Sequence, residues 1–323
     1  MAISISGIAF INSYLNKINY DGDDTTKIAD PNFDESIDLP DEYSSYTDEA
    51  ERNYGTNGIY SEENVTNILI CGIDNGEVED NLYYGRSDSM MILSINNNDN
   101  TLRLASLSRA VYVKISGHKS TRLSAAYSYG GPSLLIDTIQ SNYKIKIDNY
   151  VCVDFNGFKG IIDTFGGVDI YLTDAEAKSV GRSMKNLGMG AYFTYKGEGT
   201  YHLNGDAALL YSRLRYIDSD RERTGRQRKV MEKIFEKVKT MSVTDLMTAA
   251  NDILPLVTTD MKKTDIISQS TKIPKYVNWN TQQTVIPDKS SEIVEVEGLE
   301  FGVLLVDWNE TIAYTKSFFY PLF

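Results

Sequence analysis

From Thr66 onward, apolar positions recur with the periods of regular secondary structure, and most runs end at a turn signal. TNILICGID (66–74) is an unbroken apolar run of strand length and reads as a buried strand. SDSMMILSI and TLRLASLSR flank the polar stretch NNNDN, which predicts an antiparallel hairpin. Next come a helical run through RLSAAYSYGG and PSLLIDTIQSNY, a strand at YVCVDF, a helix at FNGFKGIIDTF and a strand at VDIYL. Strands alternating with helices predict an α/β layered domain. Residues 173–200 carry glycine, lysine and tyrosine with weak periodicity and read as a mobile loop or lid. NGDAALLYS predicts a helix, a long helix follows to about Lys239, and TQQTVIP and FGVLLVDW complete the same domain as strands.

Ahead of this regular pattern, residues 20–62 are polar and acidic and read as a linker or stalk. The chain therefore divides into an N-terminal segment, 1–65, and one folded domain, 66–323. The opening MAISISGIAFINSYL is too short for the ~20 residues of a membrane span and lacks the basic start of a signal peptide. It is either the start of a core element or the outer end of a span that is cut short.

Charge changes the picture in one place. The chain carries a formal net charge of −13, yet six of its twelve arginines fall between Arg213 and Arg228. An acidic protein gathers guanidiniums at a cost in mutual repulsion unless an anion relieves it. The planar fork of each guanidinium matches phosphate or carboxylate. The same acidity argues against nucleic acid as a partner, because phosphate-backbone binders present a positive field.

Helix phase sorts the arginines. Ser219 and Glu222 match the S-x-x-E capping box, so the long helix begins near Asp220. Arg223, Arg226 and Gln227 then share a face with Val230, Ile234 and Val238. An anion held at this helix start would be favoured by both the helix end and the guanidiniums. Arg213 and Arg215, two apart on an expected extended run, would project to one side and reach the same anion. Arg221 and Arg228 read as a solvated face.

The hairpin supplies a second group. A turn centred on Asn98–Asp99 opposes residues whose numbers sum to 197, which sets Asp88 across from Arg109, with Arg86 nearby. Asp74 closes the first strand, where an open α/β sheet places its site. Asp74 and Asp88 beside a bound phosphate suit Mg2+, which takes one or two carboxylates plus phosphate oxygens. The alternative is a plain Asp88–Arg109 ion pair. His118 and His202 lie in loop-like stretches and are not placed as bases. Cys71 and Cys152 sit in apolar runs, as buried thiols or as a disulfide.

Taken in order, NILICGID, RSDSMMILSI, LASLSRAVYV, RLSAAYSYGGP, YVCVDFNGFKGIIDTFGGVDIYL, HLNGDAALLYSRLRYIDSD and RxxRQ resemble the LytR–CpsA–Psr family from about Asn67 to Val238. The resemblance implies an α/β/α sandwich, with a central mixed sheet and helices on both faces, enclosing an apolar tunnel for a polyprenyl chain. It implies a membrane-anchored, extracytoplasmic enzyme of a Gram-positive-type bacterium, with one N-terminal anchor in the native protein. Such a phosphotransferase moves a teichoic acid or capsular polysaccharide from undecaprenyl pyrophosphate to peptidoglycan with Mg2+ or Mn2+, with hydrolysis of the polyprenyl pyrophosphate as an expected side activity.

By motif position, Asp74 and Asp88 resemble the metal carboxylates. Arg109, Arg213, Arg215, Arg223 and Gln227 resemble the pyrophosphate ligands, with Arg86 beside the metal. Arg122 stands where lysine is usual, and Arg226 joins the ligand set through its helix face. Asp88, Arg109, Arg213 and Arg215 are the expected catalytic groups. The proton acceptor is left open between Asp88 and an aspartate near Asp218–Asp220. The family's S-I-P-R-D reads Ser106–Leu107–Ser108–Arg109–Ala110, without the final acid, and Glu222 replaces the glycine usual before Arg223. A protein that binds polyprenyl phosphate without turnover is the alternative.

Overall fold

The computed structural model describes residues 19–20, 36–74, 85–214, 217, 220–270, 272–289, 292–296 and 302–321. Its principal elements begin with α1 (Ser44–Asn53), β1 (Val65–Asp74), β2 (Arg86–Asn96), β3 (Thr101–Leu107), α2 (Ala125–Tyr143) and β4 (Asn149–Val153). There follow α3 (Phe155–Thr164), β5 (Val168–Leu172), α4 (Asp174–Asn186), β6 (Gly199–Leu203) and α5 (Gly205–Ser212). The last are α6 (Asp220–Thr240), α7 (Val243–Ile253), β7 (Asn280–Ile286) and α8 (Trp308–Phe319). The chain forms two compact units, one of residues 22–152 with 279–323, the other of residues 1–21 with 153–278.

The first unit is built on a mixed sheet in the order β4, β1, β2, β3, β7. β1–β2 and β2–β3 pair antiparallel and β7 runs parallel to β3. The β2–β3 turn forms as its polar residues dictate. Asn96 Oδ1 accepts from the backbone N–H groups of Asn98 and Asp99, and Asn100 takes the left-handed conformation (φ 55°) that asparagine tolerates. Alternation puts Leu69, Cys71, Ile73, Met90, Ile92, Ala105 and Leu107 on one face, where they pack with Leu135 and Ile139 of α2 and Phe319 of α8. Each such side chain contributes about 1.5–3 kcal/mol of hydrophobic stabilisation. The opposite face is buried as well, at Ile68, Met91, Ile95 and Leu104.

Helix α2 departs from helical geometry at Gly130 and Gly131, and Pro132 opens its second half. Gly131 (φ 62°) supplies the left-handed turn and proline is suited to the first helical position. This explains why two helical runs were legible where one continuous stretch bends.

Part of the acidic stretch expected as a linker is folded. Ser44–Asn53 is helical, Ala50 is buried in the core, and Asn53 Nδ2 donates to the Asn142 carbonyl at 2.8 Å. The polar residues of α1 face outward, so one buried alanine and partly buried Tyr43 and Tyr46 secure it, a signal too sparse to register as periodicity.

In the second unit, the antiparallel β5–β6 ladder buries Val168, Ile170, Leu172, Tyr201 and Leu203 against α3, α4, α5 and α6. The expected lid at 173–200 is corrected in part: its stretch Asp174–Asn186 is α4, with a capping box between Thr173 and Glu176. Ala177, Val180 and Met184 form its buried stripe at i, i+3, i+7 spacing. Among the described residues no helix is long and apolar enough to cross a membrane.

Candidate functional site

The β2–β3 ladder runs from Asn96↔Thr101 to Met90↔Leu107, the expected register. Two residues past its end, Arg109 Nη1 donates to Asp88 Oδ1 at 2.6 Å. These side chains are 18% and 16% exposed, so the pair is largely withdrawn from water yet reachable. The β1–β2 ladder slips between Gly72↔Ser89 and Ile73↔Ser87, which leaves Asp88 as the extra residue of a β-bulge. A bulge bends its strand and re-aims a side chain. Beyond it Asp74 is paired with Arg86. Two carboxylates and two guanidiniums thus meet at one end of the sheet.

Arg122 belongs to the adjoining segment. It pairs in a short antiparallel ladder with Tyr112 and is almost fully buried. The backbone bonds Leu123 N–H to Val111 and Ser124 N–H to Arg109 tie its segment to the one carrying Arg109. Ala110 follows Arg109, and its carbonyl accepts from Leu304 N–H at 2.8 Å.

The remaining expected ligands belong to the second unit. Arg213 does not lie on an extended run. It ends α5 with φ −102°, ψ 2°, is exposed, and places its Cζ 4.0 Å from the Phe155 ring centroid. Stacking of this kind orients a guanidinium while leaving its edge donors available. In α6, Arg223 (2% exposed) and Arg226 (4%) share the buried face with Val230 and Ile234, and Gln227 is half-buried. Arg215, Asp218 and Ser219 lie outside the described residues.

Arg226, expected in the anion set, has protein partners on its buried face. Its Nε donates to Glu176 Oε1 at 2.8 Å and its Nη1 to the Leu214 carbonyl at 3.0 Å. Burial pushes Glu176 up, but Arg226 and the Thr173 backbone and hydroxyl donors outweigh it and hold the carboxyl below its ordinary range. Arg226 thus binds α6 to α4 and to the residue two beyond the end of α5. Nor is Arg228 simply solvated: it is half-buried, and burial followed by the charge of Arg221 lowers its pKa.

His202 is on β6, not in a loop, and pairs with Asp169 at 2.8 Å, while His118 stacks on Tyr129 with centroids 4.2 Å apart. Glu176 and Phe155 were missed by sequence reasoning. The T-x-x-E pattern signals a cap at Thr173–Glu176 but not the arginine it receives, and no local signal marks Phe155 as a platform.

Asp74 and Asp88 fit a divalent cation in donor type and number, since Mg2+ needs only one or two carboxylates when phosphate oxygens complete its shell. Among the described residues no three His, Cys, Asp or Glu side chains group as a metal cage.

Comparison with known proteins bears on what this arrangement is. "Biofilm regulatory protein A" of Streptococcus mutans is 32% identical over 243 residues, 71% of this chain and 57% of that protein. "Polyisoprenyl-teichoic acid--peptidoglycan teichoic acid transferase TagU" of Enterococcus faecalis is 35% identical over 205 residues, 61% of this chain and 63% of that one. The chain thus spans less than two thirds of the length of either relative. Among solved structures, "TagT bound to LIIa-WTA" superposes with a TM-score of 0.64 at 22% identity, covering 83% of this chain and 96% of that one. TagT with bound octaprenyl pyrophosphate lipid gives 0.60 at 20% identity, covering 82% and 95%. These two likenesses establish the fold, an α/β architecture with a mixed central sheet. The model of the LytR_cpsA_psr family matches residues 35–304, across both units, and the chain belongs to that family.

Proposed function

We propose that this chain is a phosphotransferase that moves an anionic glycopolymer, a teichoic acid or capsular polysaccharide, from a polyprenyl pyrophosphate carrier to peptidoglycan. The observation that carries the reading is the Asp88–Arg109 contact at a bulge, beside Asp74 and Arg86. It is a metal- and phosphate-ready constellation in a family whose relatives include named teichoic acid transferases. TagT, which shares the fold, binds a polyprenyl pyrophosphate and a teichoic acid in its solved structures.

Asp74 and Asp88 would hold Mg2+ or Mn2+, which supplies charge neutralisation at phosphate oxygens when bound. In the first unit Arg109, Arg86 and Arg122 are donors to phosphate; Arg213, Arg223 and Gln227 are phosphate donors of the second unit in their own right. Their role is to stabilise negative charge as a peptidoglycan hydroxyl attacks the polymer-linked phosphorus and polyprenyl phosphate leaves. Arg109 is oriented for this by Asp88, and Arg213 by the Phe155 ring. An apolar tunnel for the prenyl chain belongs to the same proposal; Ala125–Tyr127, Leu135 and Ile139 of α2 themselves pack into the core. Action on such a substrate places the protein at the extracytoplasmic membrane surface of a Gram-positive-type envelope, held there by an N-terminal anchor.

Ala110 favours a second reading, a polyprenyl-phosphate binder without turnover, because the acid usual after Arg109 is absent. Incubation with polyprenyl-pyrophosphate-linked glycopolymer and a peptidoglycan oligomer, with Mg2+ or with chelator, separates the two. Transfer that needs the metal supports the enzyme. Lipid retained with no phosphate linkage broken leaves only the binder.

A further inference from the structure

We propose that Cys71 of β1 and Cys152 of β4 are a disulfide-forming pair, and that the bridge staples the strand carrying Asp74 to its neighbour in the sheet. The two strands are adjacent in the sheet, and the two Sγ atoms are 2.9 Å apart. A disulfide bond is about 2.05 Å long, so closure asks for an approach of only about 0.9 Å. Both side chains are essentially inaccessible, at 0% and 1% exposed, within the apolar cluster that includes Leu69, Ile73 and Met90. The bridge therefore forms as the sheet assembles, and burial then shields it from thiol reductants.

The oxidant is a low-molecular-weight disulfide. The Cys152 thiol loses its proton to solvent, and its thiolate attacks one sulfur of the reagent and expels a thiolate. The Cys71 thiol gives up its proton in turn, and its thiolate attacks the Cys152 sulfur of the mixed disulfide and expels the second. The two released thiolates take up the two protons from solvent. Two protein thiols are oxidised, and one reagent disulfide is reduced to two thiols. The cross-link joins residues 81 apart in sequence, a long loop whose closure restricts the unfolded chain strongly. Asp74 stands three residues after Cys71, so the staple is on the strand that carries a proposed metal carboxylate. The pairing rests on this geometry and not on the transferase reading.

The test is made on the full chain. Protein unfolded in denaturant and dithiothreitol is refolded in a buffer of oxidised and reduced glutathione. It is then denatured, alkylated and weighed intact. The expected mass carries no alkyl group and is about 2 Da below the dithiol, and proteolysis yields a cross-linked peptide pair containing Cys71 and Cys152. Melting of the oxidised protein is expected roughly 5–15 °C above protein refolded and kept in dithiothreitol, where the bridge never forms. A Cys71→Ala, Cys152→Ala double variant should show no such response to reductant. Two alkylated cysteines after refolding, or bridges found only between molecules, would overturn the proposal. So would a melting response that persists in the double variant.

Discussion

Arg226 and Glu176 lie 50 residues apart in sequence, yet Arg226 Nε donates to Glu176 Oε1 at 2.8 Å with both side chains buried. Glu176 is at the same time the third residue of α4 and closes the capping box on Thr173. One carboxylate thus terminates a helix and anchors the face of α6 that also carries Arg223. Arg226→Ala should strand a buried carboxylate and lower stability by about 3–5 kcal/mol in urea denaturation. Arg226→Met combined with Glu176→Leu should cost much less than the sum of the single substitutions, because no charge is left without its partner.

The same pair sets an acid limit. The folded pKa of Glu176 is depressed below its ordinary value of 4.5. Its contribution is therefore complete above that value and is lost as pH falls through the folded pKa. Melting temperature measured from pH 7 to pH 3 should decline at the acid end. Glu176→Gln should be less stable at neutral pH and show a shallower acid decline.

Arg109→Ala should still fold, with a lowered melting temperature, because the pair it breaks is largely withdrawn from water. Transfer measured with lipid-linked glycopolymer should fall by about 10²–10³-fold, the scale for losing one donor to developing charge. Unchanged transfer in this variant would remove Arg109 from the proposed site.

Phe155→Leu should act through Arg213, whose guanidinium it supports. A cation–aromatic contact at an exposed site is worth about 0.5–1 kcal/mol, so lipid-phosphate affinity by titration should weaken about 2–5-fold. In an Arg213→Ala background the same substitution should change affinity little.

Gly205 opens α5 at a close approach to α3, where an added Cβ would run into the backbone of Lys159. The obstacle is main chain, which cannot rotate away. Gly205→Ala should cost about 1–3 kcal/mol by denaturant titration.

Much of this molecule was legible locally. Period-two alternation and the Asn-rich turn defined the β2–β3 hairpin and its register, and with it the meeting of Asp88 and Arg109. The face shared by Arg223, Arg226, Val230 and Ile234 followed from helical spacing. Periodicity succeeds here because it encodes which side of an element is removed from water. It fails at α1, where one alanine and two half-buried tyrosines make the contact, and it was passed over at α4 despite the T-x-x-E cap.

What only the tertiary structure decided is what each buried face meets. Sequence spacing turned Arg226 inward but did not say that Glu176 and the Leu214 carbonyl await it, so an anion seemed the natural partner. It put Asp88 opposite Arg109 but not on a bulge, because the slip lies in the pairing of β2 with β1, which the β2–β3 turn does not set. It likewise placed Cys71 and Cys152 in two apolar runs without setting their sulfurs 2.9 Å apart. Local sequence specifies the buried surface of an element. The partner on that surface comes from residues far along the chain, and their approach is fixed by the packing of the whole unit.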